Sequence, residues 1–298
     1  MRGSLTIIGA GRVGRALGRK LRELGWKIGA VVTRSEASAR KAVRFIGAGE
    51  PHGTLARPAL RCSVILITTP DAVVREAAKQ LARIGAEELD GKIVLHTSGA
   101  LDSSALDAVR AYGAAAGSMH PLQSFSGVGV PPLEGKVFAI EGDAAAVRMA
   151  RQLARSLGGA PVRIDGSQKL LYHAAATMAA AHVLVVEEAA TRLLMSLGMN
   201  RREAIRALLP LTRQVLQNFE RLGPRAAWTG PLSRGDYEVV AGHIGTLRQF
   251  DPEYAGAYEV LNSLAARVLS SEVLEEQENL RTITENKKIK AKATGGRR

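Results

Sequence analysis

The fold is decided by residues 5–14, which read LTIIGAGRVG. The apolar run before the glycines is typical of a buried strand, and residues 15–21 continue as a helix. In a G-x-G-x-x-G loop placed between strand and helix, Gly9 permits the tight turn, Gly11 lets the backbone approach a pyrophosphate, and Gly14 lets the helix pack against the strand. The N–H groups at the helix N-terminus favour phosphate. The stretch therefore predicts a dinucleotide site.

Strand-like and helix-like segments alternate through the first half of the chain. The predicted strands after the first are 27–33, 64–69, 92–97, 114–119, 137–141 and 161–164, and the predicted helices after the first are 35–45 and 71–81. One more strand is expected within 47–61, where the pattern leaves its position open. Alternation of this kind indicates a doubly wound parallel sheet of the Rossmann type.

The second half of the chain predicts only helices. Neither Gly nor Pro occurs from residue 167 to 197, so we predict one helix of about thirty residues there, with Ser167 as its N-cap. That helix is apolar on most faces and must be covered by its own domain, a partner subunit, or both. Further helices are predicted over 200–222 (kinked at Pro210), 236–250 and 252–276. The predicted domains are a nucleotide-binding domain (1–165), a helical substrate and dimerisation domain (166–280) and a basic disordered tail (281–298).

Composition and charge narrow the class of protein. The formal net charge is +13, and six of those charges lie in residues 287–298, so a nucleic-acid partner is not expected. The single cysteine, Cys62, excludes an internal disulfide and fits a reducing, cytoplasmic location. Residues 170–186 contain His173, Thr177 and His182, which favours a buried helix over a membrane span. The scattered histidines and lone cysteine do not predict a metal site.

The residues after the second strand predict which dinucleotide binds. NAD-binding sites place an Asp or Glu there, whereas this chain has Thr33-Arg34-Ser35, and Arg34 can pair with a 2′-phosphate. We therefore predict NADP; the alternative is that Arg34 is a solvated loop arginine. The predicted cofactor-binding residues are Gly9, Gly11, Arg12, Val13, Gly14, Thr33, Arg34, Ser35, Thr69, Pro70 and Thr97.

The carboxyl ends of parallel strands form the expected ligand crevice. Ser98 and His120 follow two such strands, and Gln123 and Ser124 are suited to orienting a substrate. Structural roles for His120, Gln123 and Ser124 stay open as alternatives.

The start of the long helix offers a second group of candidates. Lys169 and His173 are four residues apart and share a helical face, which Thr177 continues. We predict Lys169, His173, His120 and Ser98 as catalytic, with Lys169 as acid/base or as the group that holds an anionic substrate. We predict Gln123, Ser124 and Thr177 as substrate contacts. A core histidine is the alternative for His173, and residues 229–236 (TGPLSRGD) are either a loop with an N-cap or a substrate lid.

Several of these motifs resemble a known family when taken in order. GAGRVG, ITTPD, HTSGA, MHPLQSF, QKLLYHAAATMAAAH and TGPLSRGD resemble bacterial proteins with a Rossmann-like domain followed by DUF2520, which are often described as NADP oxidoreductases or as related to coenzyme F420-dependent enzymes. The resemblance covers residues 1 to about 275. More distantly, the chain is similar to the 6-phosphogluconate and β-hydroxyacid dehydrogenases, whose long helix bears a catalytic lysine with an asparagine four residues later. Lys169 matches that lysine, whereas His173 departs from the asparagine.

The resemblance implies an all-helical, 6-phosphogluconate-dehydrogenase-like second domain and a homodimer formed through it. We therefore expect an NADP(H)-dependent oxidoreductase that transfers a hydride to or from a small polar or anionic substrate. The alternatives are an F420-dependent NADP reductase-like enzyme and a non-catalytic NADP-binding regulatory protein.

Overall fold

A computed structural model describes residues 3–270 of the chain. The expected tail, 281–298, and the end of the last predicted helix lie outside the described residues. By its internal contacts the chain forms two compact units, Met1–Val183 and Leu184–Arg298. The predicted boundary after residue 165 comes earlier than this division, which groups the first half of the long helix with the sheet.

The first unit is built on one eight-stranded sheet. Its strands are β1 (Ser4–Ile8), β2 (Lys27–Val32), β3 (Glu50–His52), β4 (Val64–Ile67), β5 (Ile93–His96), β6 (Ala115–Pro121), β7 (Val137–Gly142) and β8 (Ala160–Arg163). The spatial order is β3-β2-β1-β4-β5-β6-β7-β8. Every neighbouring pair is parallel except β6 and β7, so the predicted Rossmann-type sheet is confirmed with one antiparallel junction.

Helices cover both faces of this sheet. They are α1 (Arg12–Glu23), α2 (Glu36–Ile46), α3 (Asp71–Gly85), α4 (Asp107–Arg110) and α5 (Ala144–Ser156). One buried cluster joins the sheet to α1, α2 and α5 through residues such as Leu17, Ile46 and Leu153, and a second joins it to α3 and α4 through Leu81 and Val109. The sheet is therefore buried on both faces, which explains the continuous apolar runs of its central strands.

The strand that the sequence left open is β3. It has only three residues, includes Pro51, and pairs with β2 at the edge of the sheet. A proline cannot donate to the ladder and is tolerated at an edge. The sequence pattern that predicts β3 is weak because an edge strand this short needs no buried apolar run.

The long helix begins differently from the prediction. Asp165, rather than Ser167, caps it: the Asp165 carboxylate accepts hydrogen bonds from the backbone N–H and the hydroxyl of Ser167. A 3₁₀ turn, Gly166–Gln168, leads into α6 (Lys169–Thr177). A π-helical turn, Met178–His182, then connects α6 to α7 (Val183–Ser196).

The second unit is helical, as predicted. It contains most of α7, then α8 (Arg201–Ala227), α9 (Tyr237–Phe250) and α10 (Pro252–Val268). Asn200 and Glu203 form a capping box at the start of α8. The backbone of α8 leaves helical angles at Gly223 (φ 78°, ψ 176°). The kink that we predicted at Pro210, also inside α8, stays a prediction.

Candidate functional site

The glycine loop makes the close contacts that a dinucleotide cradle requires. Gly9 has φ +87°, and a β-carbon there would lie 2.7 Å from the backbone nitrogen of Thr69. A β-carbon on Gly14 would collide with the Thr68 hydroxyl, which donates a 2.7 Å hydrogen bond to the Gly9 carbonyl. Side chains at either position would push the loop away from the end of β4, so the residues present fit a bound dinucleotide.

A cleft of about 740 Å³ opens beside this loop. Its walls come from the glycine loop and from the ends of β2 and β4, and they include the predicted cofactor residues Gly9, Gly11, Thr33, Arg34, Thr69 and Pro70. The cleft is large enough for part of a dinucleotide. It lies where β1 and β4 diverge, the switch point at which doubly wound sheets bind ligands.

Glu36, the first residue of α2, follows the β2 end of the cleft, and its carboxylate is engaged within the chain. Glu36 accepts a 3.1 Å hydrogen bond from the Gly53 N–H and a 3.2 Å bond from Arg40. Ser35 caps α2 by accepting from Ser38 N–H, and the Thr33 hydroxyl donates to the Ser35 carbonyl. Arg34 is the charged side chain that lines this end of the cleft.

The three predicted substrate residues make hydrogen bonds within their own segments. Gln123 donates to the Pro132 carbonyl and accepts from Ser124 N–H, and the Thr177 hydroxyl donates to the His173 carbonyl. Arg12 lies against Gly127, a residue of the loop after β6. Thr97 donates its backbone N–H to the Ile67 carbonyl, and Val13 packs against the core. The cofactor and substrate roles of all these residues stay predictions.

Lys169 is buried at the carboxyl end of the sheet. Its side chain is 1% exposed, and its amino group donates to the Ser98 carbonyl (2.8 Å) and the Ser118 hydroxyl (2.6 Å). A carboxylate oxygen of Glu141 on β7 lies 3.9 Å away. Burial lowers the pKa of Lys169 to about 8, against the opposing effect of Glu141. The lysine therefore ties the start of α6 to β5, β6 and β7.

His96 holds the segment that follows β5. Its Nδ1 accepts from the Ser98 N–H (3.2 Å), so its Nε2 carries the hydrogen and donates to the Asp102 carbonyl (3.1 Å). The Ser98 hydroxyl oxygen accepts from the N–H groups of Ala100 and Leu101. Burial, followed by the charge of Lys169, lowers the pKa of His96 to about 3. The segment 97–102 is thus fixed by side chains at both ends.

His120, Tyr172 and His173 meet beside Gly99. The Tyr172 hydroxyl lies 2.8 Å from Nδ1 of His120, and the rings of His120 and His173 pack edge to face with centroids 5.7 Å apart. A β-carbon on Gly99 would lie 2.9 Å from Nε2 of His120 and would collide with Nδ1 of His173. The glycine therefore allows both imidazoles to approach the backbone at the end of β5.

Burial sets the protonation of this cluster. Burial, the neighbouring His173 and the charge of Lys169 lower the pKa of His120 to about 4. Burial also raises the pKa of Tyr172 to about 12. At neutral pH His120 is therefore a neutral imidazole and Tyr172 keeps its hydroxyl proton.

The structure brings together the four side chains that we predicted as catalytic. Lys169, His173, His120 and Ser98 all contact or border the Ser98–Gly99 segment. Sequence reasoning did not identify three residues of this site: Ser118 and Glu141, which lie beside the Lys169 amino group, and His96, which holds Ser98. A signal existed for Ser118, because Ser118 and His120 are two residues apart on β6 and so share the face that meets Lys169 and His173.

Comparisons with known proteins agree with this architecture. Residues 1–121 match the model of the Rossmann-like domain, and residues 136–265 match that of DUF2520, a domain of unknown function. No curated protein matches the sequence.

Three solved structures share the fold. Protein TM1727 of Thermotoga maritima is 24% identical (TM-score 0.68; 90% of this chain and 99% of that one). A candidate NADP oxidoreductase of Bacteroides fragilis, BF3122, is 22% identical (TM-score 0.70; 88% and 97%). A reductive aminase of Aspergillus terreus, solved with NADPH and ethyl-5-oxohexanoate, is 18% identical (TM-score 0.67; 90% and 93%).

The buried neutral state of His96 predicts sensitivity to acid. The unfolded chain protonates this residue near pH 6.5, whereas the folded chain keeps it neutral down to about pH 3. Its stabilising contribution is therefore complete above pH 6.5 and is lost as the pH falls toward 3. We expect the free energy of unfolding, measured by urea titration, to drop by roughly 2 kcal/mol from this group between pH 7 and pH 5.

The variant His96→Asn should show a shallower pH dependence, whatever its stability at pH 7. The exposed His182 provides the matched control, since His182→Asn should keep the wild-type slope. If the free energy of unfolding fell equally steeply with pH in His96→Asn and in the wild type, the buried neutral state of His96 would be contradicted.

Proposed function

We propose that this chain, in which a Rossmann-like domain is followed by a DUF2520 domain, is an NADP(H)-dependent oxidoreductase acting on a small polar or anionic substrate. One observation carries the proposal. The carboxyl edge of a single sheet holds a glycine cradle at β1 and, beyond β4, a cluster of proton-bearing side chains at the ends of β5 and β6. A hydride-transfer enzyme needs those two parts side by side.

Each part of the edge has its own task. NADPH, when bound, supplies the hydride. Gly9, Gly11 and Gly14 allow the backbone of the loop to approach the pyrophosphate, and the N-terminus of α1 directs its N–H groups at the same charge. The side chains around Gly99 orient the reacting group and exchange its proton.

Two observations support NADP over NAD. The Glu36 carboxylate is bonded to Gly53 and Arg40, and Arg34 lines the cleft where the 2′-substituent of the ribose is expected. A guanidinium can make two parallel hydrogen bonds to a phosphate. The candidate NADP oxidoreductase and the NADPH complex among the similar structures are consistent with this choice.

The cofactor preference can be tested at Arg34. We expect Arg34→Ala to weaken NADPH binding roughly ten- to a hundredfold, the cost of a charge-assisted hydrogen bond, and to leave NADH binding nearly unchanged. Isothermal titration calorimetry with both nucleotides measures the two effects. Arg44→Ala, at the other end of α2, is the control and should change neither; equal losses of NADPH and NADH in Arg34→Ala would refute the assignment.

Turnover tests the proposal as a whole. We expect the purified protein to oxidise NADPH when supplied with a member of a panel of small aldehydes, ketones and imines, followed by the near-ultraviolet absorbance of NADPH. Binding of NADPH without consumption across the panel would favour a regulatory NADP-binding protein instead. Gly14→Val should abolish both binding and turnover, because its side chain would collide with Thr68.

The apolar surface of the long helix supports a homodimer as part of the proposal. Leu170, Leu171 and Leu184 are 70–75% exposed, and further apolar side chains are exposed along α7 and α8. By length and apolar composition, Gly166–Ser196 could also cross a membrane, a test that core helices of soluble proteins pass as well. Exposed large apolar side chains such as these mark an interface, and a second copy of the chain supplies a matching surface.

We expect sedimentation equilibrium to give twice the mass of one chain. Leu184→Glu should shift the protein toward the monomer, since a charge would be buried at the interface. Val128→Glu, on a loop where the side chain is 89% exposed, is the control and should leave the mass unchanged. A monomeric wild type at micromolar concentration would contradict the homodimer.

A further inference from the structure

Lys169 is not placed to exchange a proton with a substrate. Its side chain is 1% exposed, and its amino group is bonded to the Ser98 carbonyl and the Ser118 hydroxyl with Glu141 close by. Reaching a ligand would require breaking both hydrogen bonds and exposing buried acceptors. The sequence prediction of Lys169 as the acid/base is therefore less well supported by geometry than the histidine cluster is.

His120 has the geometry of an oriented proton carrier. Its Nδ1 is held by the Tyr172 hydroxyl at 2.8 Å, whereas its Nε2 lies beside Gly99 without a hydrogen-bond partner among the described residues. A ring with one nitrogen held and the other free is the arrangement by which proteins fix the tautomer of a catalytic histidine. His173 packs edge to face against the same ring and limits its rotation.

From this geometry we infer that Tyr172 and His120 form a proton relay that serves the reduction of a carbonyl group, an aldehyde or ketone, rather than an imine. This inference rests on the proposed function. It names His120 as the group that meets the substrate and Tyr172 as the residue that positions His120 and resupplies its proton. Lys169 is then a positioning residue that holds the Ser98–Gly99 segment against the two rings.

The reductive step balances without another reactant. The carbonyl carbon receives the hydride, the C=O π pair moves onto oxygen, and this oxygen forms an O–H bond as the Nε2–H bond of His120 breaks. Nδ1 of His120 takes the proton of the Tyr172 hydroxyl, and the phenolate is reprotonated from water. The products are the alcohol and oxidised nicotinamide.

The groups of the relay are acidic enough to protonate an alkoxide but not an imine. An alkoxide is about as basic as hydroxide, whose conjugate acid has a pKa of roughly 16, so a phenol with a pKa of about 12 can supply its proton. An imine accepts hydride readily only after protonation to an iminium cation, for which a phenol and a neutral imidazole are too weakly acidic. The buried charge of Lys169, close enough to lower the pKa of His120, also disfavours a second cation.

The groups around His120 come from two elements, and a third element acts on it only through Lys169. Tyr172, His173 and Lys169 lie on α6, Gly99 brings backbone from the end of β5, and Glu141 on β7 faces Lys169. Neither Tyr172, with a pKa of about 12, nor His120, with a pKa of about 4, changes protonation between pH 6 and pH 9. We therefore expect a flat kcat over that range. A donor role for Lys169 would instead make kcat fall above about pH 8.

The test compares each carbonyl compound alone with the same compound plus methylamine, using full-length protein and NADPH. We expect consumption of NADPH with the carbonyl alone. Tyr172→Phe and His120→Asn should each lower kcat about a hundredfold or more while the Kd for NADPH stays within twofold. The double variant should be no slower than the slower single variant, because the two groups act as one unit.

A second readout needs no turnover. Ring ¹⁵N NMR should show His120 neutral from pH 6 to pH 9, and Tyr172→Phe should shift its Nδ1 resonance. The matched controls are Tyr112→Phe and His182→Asn, whose side chains lie on the surface, and both should behave as the wild type.

The outcomes separate the two proposals. A wild type that consumes no NADPH with any compound overturns the proposed function and the relay with it. Turnover only when methylamine is present leaves the oxidoreductase standing and overturns the relay. Wild-type kcat in Tyr172→Phe, or a kcat that falls above pH 8 in the wild type and not in Lys169→Met, also overturns it.

Discussion

The candidate site depends on one buried cation. Lys169 lies among the ends of three strands with its charge withdrawn from water, and removing a charge from water costs several kcal/mol unless partners replace the lost hydration. The partners here are the Ser98 carbonyl, the Ser118 hydroxyl and, at 3.9 Å, Glu141. Since each partner belongs to a different strand or strand end, the lysine can be satisfied only when β5, β6 and β7 are in register with the start of α6.

That requirement places the reactive groups. Tyr172 and His173 follow Lys169 by three and four residues, so a helix anchored at Lys169 presents both of them to the same strand ends. On the facing strand, Ser118 bonds Lys169 and His120 lies two residues farther along. The anchored pair, Lys169 and Ser118, thereby brings the hydrogen-bonded pair, Tyr172 and His120, into contact. His96 completes the arrangement, because its ring nitrogens bond the Ser98 N–H and the Asp102 carbonyl and so hold the Ser98–Gly99 segment in place.

Local sequence signals predicted the parts of this structure that are encoded locally. The glycine loop, the buried parallel strands and the helical second half follow from residue spacing, and the fold confirms them. Three features needed information from distant residues. The edge strand β3 has no apolar run, the antiparallel direction of β7 is set by its pairing with β6, and Asp165 replaces Ser167 as the cap because a 3₁₀ turn precedes α6. The pairing of Lys169 with Ser118 joins residues 51 positions apart, which no local pattern can specify.

The two parts of the candidate site, the glycine loop and the cluster beside Gly99, are built from different parts of the chain. The candidate cofactor cradle is made of backbone, and its shape depends on the absence of side chains at Gly9 and Gly14. The cluster beside Gly99 is instead made of side chains from α6 and β6, and two of them, Lys169 and Ser118, also hold the helix against the sheet. A shared fold with a reductive aminase therefore carries neither that enzyme's activity nor its substrate over to this chain. In that cluster the neutral imidazole of His120 is bonded to Tyr172 and lies near the buried Lys169. Such a cluster stabilises a developing negative charge on oxygen better than a positive charge on nitrogen.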